Sequence, residues 1–129
     1  MRFVNPPTLP KPNGYSHVVE VRRGTTIIIS GQVALDSAGN LVGRGDFAAQ
    51  TEQVFKNIKA ALESVGASYK DVAKLTIFVV DRSQVPALRE IRDRYVNTAS
   101  PPASSLVQVQ GLVRDEFLIE IEATAVVPE

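Results

Sequence analysis

Two carboxylates, Glu120 and Glu122, stand two residues apart in the segment Phe117-Leu-Ile-Glu-Ile-Glu-Ala-Thr-Ala-Val-Val127. Residues 117, 119, 121, 123 and 125 are apolar, and Glu120, Glu122 and Thr124 fall between them. On a strand this alternation puts both carboxylates on one face, roughly 6.5–7 Å apart. If that face is buried, each carboxylate needs a donor or must hold a proton, and such a group can aim a water or shuttle a proton. If it is solvated, the pair is the outer face of an amphipathic strand. Other chemistry-bearing residues are few. His17 is the single histidine, at the start of a strand, where a structural role is the plainer one. There is no cysteine, which excludes a disulfide, a thiolate nucleophile and a Cys-based zinc site. No Ser-His-Asp order and no phosphate-cradling glycine loop stand out.

The elements that must position these residues follow from pattern and punctuation. The first fifteen residues hold four of the eight prolines and read as extended or turning chain, with a short strand at residues 2–4 as an option. His17–Arg22 and Thr25–Ser30 are rich in β-branched residues, and Arg23-Gly24 between them reads as a hairpin turn. Asp46 is a candidate N-cap for a helix whose apolar stripe runs Phe47, Thr51, Val54, Ile58, Ala61, Leu62, Val65, with Gly66 as its stop. Lys74–Val80 reads as a strand. A second helix starts near Ser83, with Pro86 in its first turn and Val85, Leu88, Ile91 and Tyr95 on its apolar face. Ala99-Ser-Pro-Pro-Ala103 breaks it, and strands near 104–109 and 117–127 close the chain. The expectation is a single domain spanning 1–129. It is a two-layer α+β fold, with a mixed sheet of about five to six strands and two helices on one face.

Ile27-Ile28-Ile29 and Leu75–Val80 show little polar alternation, the pattern of strands buried on both faces. Two helices cover one face only, so the other needs loops or another copy of the chain. Fourteen basic residues balance fourteen acidic ones with no polybasic run, which sets the chain against nucleic acid and against anionic membrane surfaces. No h-region and no stretch of about 20 apolar residues is present, so the default expectation is a soluble cytoplasmic protein.

Gly14-Tyr15, Ile29-Ser-Gly-Gln-Val33, a helix with Gln53, Asn57-Ile58 and Leu62, Thr76-Ile-Phe-Val-Val-Asp81, Tyr95, Pro101-Pro-Ala103 and Ile119-Glu-Ile-Glu-Ala123 occur in this order. Together they resemble the RidA/YjgF family, whose name is sometimes attached to endoribonuclease L-PSP, over essentially residues 13–127. The resemblance implies a chorismate-mutase-like homotrimer with helices outside, a central barrel of sheets and three small-molecule clefts between subunits. It implies hydrolysis of enamines and imines to 2-oxo acids and ammonia, without metal or cofactor. By resemblance Tyr15 is the cleft tyrosine, Ser30 and Gly31 line the cleft floor, and Glu120 orients the attacking water. A protonated imine is already electrophilic, so a pocket need only hold it and aim a water.

One position departs from the family. Its archetypes carry Pro-Ala-Arg-Ser, where the arginine clamps the substrate carboxylate; here Pro102-Ala103-Ser104-Ser105 puts Ser104 there, with Leu106 where many members have cysteine. A neutral hydroxyl in place of a bidentate guanidinium should weaken a carboxylate ligand about ten- to a hundredfold. Arg89, early in the second helix, is the candidate replacement; alternatively it joins Arg92 and Arg94 on a solvated helix face. The expectation is therefore a deaminase-type hydrolase whose substrate differs from the archetypal imines, or else a trimer that binds a small metabolite without turning it over. Endoribonuclease activity fits the zero net charge least.

Overall fold

The computed structural model describes residues 1–129 and divides them into two sheets and two helices. The strands are β1 (Arg2–Val4), β2 (Val18–Glu20), β3 (Thr25–Gln32), β4 (Val72–Val79), β5 (Ala103–Gln108) and β6 (Ile119–Val127). The helices are α1 (Phe47–Glu63) and α2 (Val85–Arg92). The main sheet has the order β3-β6-β4-β5, with β4 and β5 parallel and the other pairs antiparallel. β1 and β2 form a separate antiparallel pair.

Helix α1 starts where the Asp46 side chain accepts the Ala49 N–H at 3.0 Å, satisfying one of the free first-turn donors. Its buried stripe, Phe47, Gln50, Thr51, Val54, Phe55, Ile58 and Leu62, faces the sheet. The helix stops at Glu63, so Val65, expected on the stripe, lies beyond it and is exposed. Gly66 follows with φ +75°, a left-handed conformation that a side chain would strain. In α2 Pro86 occupies the first turn, where its missing N–H costs no helical bond. The helix ends at Arg92, earlier than the apolar spacing suggests. The Arg92 carbonyl then accepts N–H bonds from both Tyr95 and Val96, a tightening that turns Tyr95 to stack on Phe55 with ring centroids 5.2 Å apart.

The expected hairpin between residues 17–22 and 25–30 does not form: β2 pairs with β1, and β3 pairs with β6. A two-residue hairpin needs left-handed φ at both central positions or at the first. At Arg23-Gly24 only the second, Gly24, has it, at +122°. Instead the chain at Gly24 presses onto the end of β6: a Cβ there would lie 2.6 Å from Val126 Cγ1 and 2.7 Å from the Val127 carbonyl oxygen.

Ile119, Ile121, Ala123 and Ala125 of β6 are buried with Leu75, Ile77, Val79 and Ile29 under the helices. The opposite face carries no layer within this chain. There Ile28 is 83% exposed, Val107 and Glu122 are exposed, and Phe78 is only half-buried. No helix is long and apolar enough to cross a membrane.

Candidate functional site

The register of β3 against β6 slips between Ile29 and Gln32, so Ser30-Gly31 contributes one residue more than the facing strand. Such a bulge re-aims local side chains and breaks the regular ladder. The Glu120 side chain fills the space it opens: a Cβ on Gly31 would lie 2.1 Å from Glu120 Oε2 and 2.8 Å from its Cδ. Gly31 is not in left-handed backbone, so its lack of a side chain serves the carboxylate and not the turn. Ser30 is exposed beside it, and Glu120 itself is half-buried. Three of the residues singled out in the sequence, Ser30, Gly31 and Glu120, are thus brought together on the uncovered face. Glu122 shares that face and is exposed, so within this chain the carboxylate pair is solvated.

Ser104 and Leu106 lie on β5, and the Tyr15 segment is tied to the start of that strand. Ser16, 1% exposed, donates its N–H to the Pro102 carbonyl at 3.1 Å and its hydroxyl to the Pro101 carbonyl at 2.6 Å. These two hydrogen bonds tie the Tyr15 segment to the start of β5, two residues ahead of Ser104. From the other side the Arg92 guanidinium presses on Gly14, whose φ is +77° and whose Cβ, if present, would lie 2.1 Å from Nη2. Arg92 is 7% exposed and pairs with Asp93 through Nε at 2.9 Å and Nη2 at 2.8 Å. The Tyr15 ring, half-buried, meets the His17 ring edge-on at 5.2 Å, and His17 Nε2–H donates to the Pro10 carbonyl at 2.6 Å. His17 is therefore spent on holding the N-terminal arm.

Ser104 and Leu106 lie on the face of the sheet opposite Glu120. Ser104 and Leu106 register with Leu75 and Ile77, which point into the helix-covered core, and Leu106 packs against it. Glu120 registers with Phe78, on the uncovered side. Strand side chains alternate between faces, so one chain cannot close Ser104 and Glu120 around one small ligand. Arg89 is exposed on α2 and makes no ion pair. Arg92 does not share a solvated helix face with Arg89 and Arg94: it is buried, while Arg94 pairs with Glu52 at 3.1 Å. The roles of Ser16 and Arg92 had no signal in the sequence; an arginine three residues after Arg89 on a short helix reads as surface. No group of three or more His, Cys, Asp or Glu is placed to hold a metal ion.

The fold, an α-covered mixed sheet with a glycine-backed glutamate on the bulged side, is that of a known class. The Endoribonuclease L-PSP family profile matches residues 8–127. The chain is 40% identical over 112 residues to Protein DfrA of Myxococcus xanthus, covering 87% of this chain and 84% of that one. It is 32% identical over 127 residues to the 2-iminobutanoate/2-iminopropanoate deaminase of Dermatophagoides farinae, covering 98% and 96%. The crystal structure of the conserved Rid-family protein YyfB from Yersinia pestis superposes with a TM-score of 0.86 at 39% identity, covering 98% of each chain. This chain belongs to the Endoribonuclease L-PSP, or RidA/YjgF, family.

Proposed function

We propose that the protein is an imine or enamine hydrolase of the deaminase type, working as a homotrimer. Its clefts would join the Ser30-Gly31-Glu120 group of one subunit to the Tyr15-Ser104-Leu106 group of the next. The observation that carries this reading is the Gly31–Glu120 apposition, a carboxylate given room by a bulge on an uncovered face. A relative 32% identical over nearly the whole chain bears the name of an imine deaminase, and the placement of Ser104 and Leu106 on the face opposite Glu120 supports a site made by more than one copy. Ile28, 83% exposed in the single chain, is the kind of side chain a second copy covers.

In the proposed reaction Glu120 accepts a proton from a bound water as its oxygen bonds to the iminium carbon. The C=N π electrons move to nitrogen. Glu120 returns its proton to that amine; the C–N bond then breaks as the hydroxyl O–H electrons form the carbonyl, ammonia leaves with the C–N pair, and the hydroxyl proton passes to Glu120. Tyr15, Ser30, Ser104 and Leu106 line and orient the substrate, and Arg89 supplies a cation if its side chain reaches the neighbouring cleft. No cofactor enters these steps. Because Ser104 offers a neutral hydroxyl, the substrate is one that does not depend on an arginine at that position for its carboxylate.

The test is a coupled assay in which an amino-acid oxidase or a serine dehydratase makes imines in place and semicarbazide traps what is not hydrolysed. Glu120→Gln should lower turnover about 10²–10⁴-fold, the usual worth of a positioned base. Full activity in that variant removes Glu120 from the water-handling role. If no imine in a broad panel is hydrolysed faster than in buffer, yet a 2-oxo acid still binds, the non-catalytic reading replaces this one. The neutral hydroxyl of Ser104 is the feature that favours it.

A further inference from the structure

The sequence has no basic run, yet the fold gathers Arg2, Arg22, Arg23 and Lys70 from three separate segments around one cavity of about 920 Å³. It lies where β1 and β2 cross the end of β6. Val126 lines it, six residues along the strand from Glu120, or roughly 20 Å at about 3.3 Å per residue. It is therefore separate from the proposed hydrolase site.

We propose that this cavity binds a small phosphate monoester with an apolar body. The Glu20 carboxylate arranges the recognition groups. Its Oε1 accepts from Arg2 Nε and from Arg22 Nε, each at 3.1 Å. Two guanidinium groups are thereby held at one oxygen by their inner nitrogens, leaving the outer amino groups without side-chain acceptors. Arg23 and Lys70 have no carboxylate within 4 Å. Of the two other carboxylates on the lining, Asp71 is buried and spends Oδ2 on the Ser68 N–H at 2.9 Å, and Glu129 is exposed at the end of β6. The lining sets four basic side chains against three acidic ones, and an anion entering beside Arg23 and Lys70 gives those two the counter-charge that no carboxylate supplies. A phosphate, with three acceptor oxygens and close to two negative charges, matches several N–H donors better than a carboxylate does.

The floor gives the rest of the ligand. Phe3 is half-buried and Val126 buried, so an apolar or planar body can lie against them while its phosphate meets the rim. The volume suits a ligand of that size, since small-molecule sites run about 300–1,000 Å³. The interspersed carboxylates argue against a polyphosphate backbone, which would meet Glu20 and Glu129 as well as the arginines.

The experiment is calorimetric titration of the whole protein with phenyl phosphate, inorganic phosphate and phenol. Phenyl phosphate should bind at least tenfold more tightly than inorganic phosphate, and phenol should give no detectable heat. The double variant Arg23→Gln/Lys70→Gln, both residues exposed, should keep the wild-type Tm and lose at least tenfold in affinity. Phe3→Ala should erase the advantage of phenyl phosphate over inorganic phosphate, while Glu120→Gln should leave both unchanged. No binding at millimolar phenyl phosphate, or equal binding by the double variant, overturns the proposal. So does displacement of phenyl phosphate by a short single-stranded RNA at equal concentration, which would mark a nucleic-acid surface instead.

Discussion

Gly31→Ala tests the candidate site more sharply than removing Glu120, because it puts one methyl group in place of a hydrogen at a known distance from the carboxylate. The new Cβ would sit 2.1 Å from Glu120 Oε2, 2.8 Å from Cδ and 3.1 Å from Cγ, all closer than van der Waals contact allows. Nothing in the Gly31 backbone resists alanine, since its φ is not left-handed. Strain is therefore relieved by the one movable object present, the end of the Glu120 side chain. Forcing that chain off its rotamer costs about 0.5–1.5 kcal/mol. For a domain of this size that is a Tm drop of roughly 2–6 °C. The displacement needed is more than 1 Å, and a misplacement of that size can lower turnover about 10²-fold. Imine hydrolysis measured with semicarbazide competition should thus fall about a hundredfold in a protein that still unfolds cooperatively. Gly39→Ala is the control, for Gly39 has φ +82° but open space around its Cβ, so it carries backbone strain without touching the site. Wild-type turnover in Gly31→Ala would refute the placement of Glu120 as the water-handling group. So would an equal loss in both variants, which would mark a stability effect.

Other perturbations address the support around the site. Ile28→Glu places a charge on the exposed β3 isoleucine of the uncovered face; the chain should stay folded by circular dichroism, and light scattering should report the monomer mass in place of three times it. An unchanged mass would show that this face is not the contact. Gln50 is fully buried, donates to the carbonyls of Gly43 and Glu116 at 3.1 and 2.8 Å, and accepts the Leu118 N–H at 2.9 Å. Gln50→Leu leaves the half-buried Glu116 carbonyl and Leu118 N–H without these partners, while the Gly43 carbonyl keeps the Asp46 N–H at 2.9 Å, and it should destabilise by about 2 kcal/mol, read from the urea midpoint. Burial first, then the Glu52 hydrogen bond and charge, push the Tyr95 hydroxyl up to about 12, and burial also raises Tyr69. The folded state then holds protons that the unfolded chain releases near pH 10, so this contribution is complete below pH 10 and is lost as pH rises toward 12. Tm should decline through that window, and Tyr95→Phe should flatten part of the decline.

Much of the scaffold was legible because its periodicities are local. The alternation in 117–127 placed Ile119, Ile121, Ala123 and Ala125 in the core and the glutamates opposite, and Asp46 and Pro86 marked their helix starts. The errors came from contacts between distant segments. Whether residues 17–22 pair forward or backward depends on Gly24 meeting Val126, a hundred residues later in the chain. A bulge leaves no mark in a two-residue period, so Ser30-Gly31 entered the site through family resemblance alone. Arg92 is charged and three residues from an exposed arginine, yet it is buried because Gly14 lacks a side chain where the guanidinium rests.

These long-range contacts also decide how the two halves of the candidate site relate. Ser16 and Arg92 fix the Tyr15 segment against the start of β5, and the bulge fixes Glu120 against Gly31, so neither half depends on the other for its geometry. The strand period keeps Ser104 and Glu120 on opposite faces, and no side-chain rotation carries Ser104 through a sheet. A ligand can touch both halves only when the uncovered face of one chain meets the Tyr15 side of another. In the proposed assembly the exposed Ile28 and the split site have one cause. Breaking the contact at Ile28 should therefore abolish turnover along with assembly, even though Ile28 touches no substrate. A monomeric Ile28→Glu that still hydrolysed imines would place the whole reaction within one chain, where only Ser30, Gly31 and Glu120 stand together.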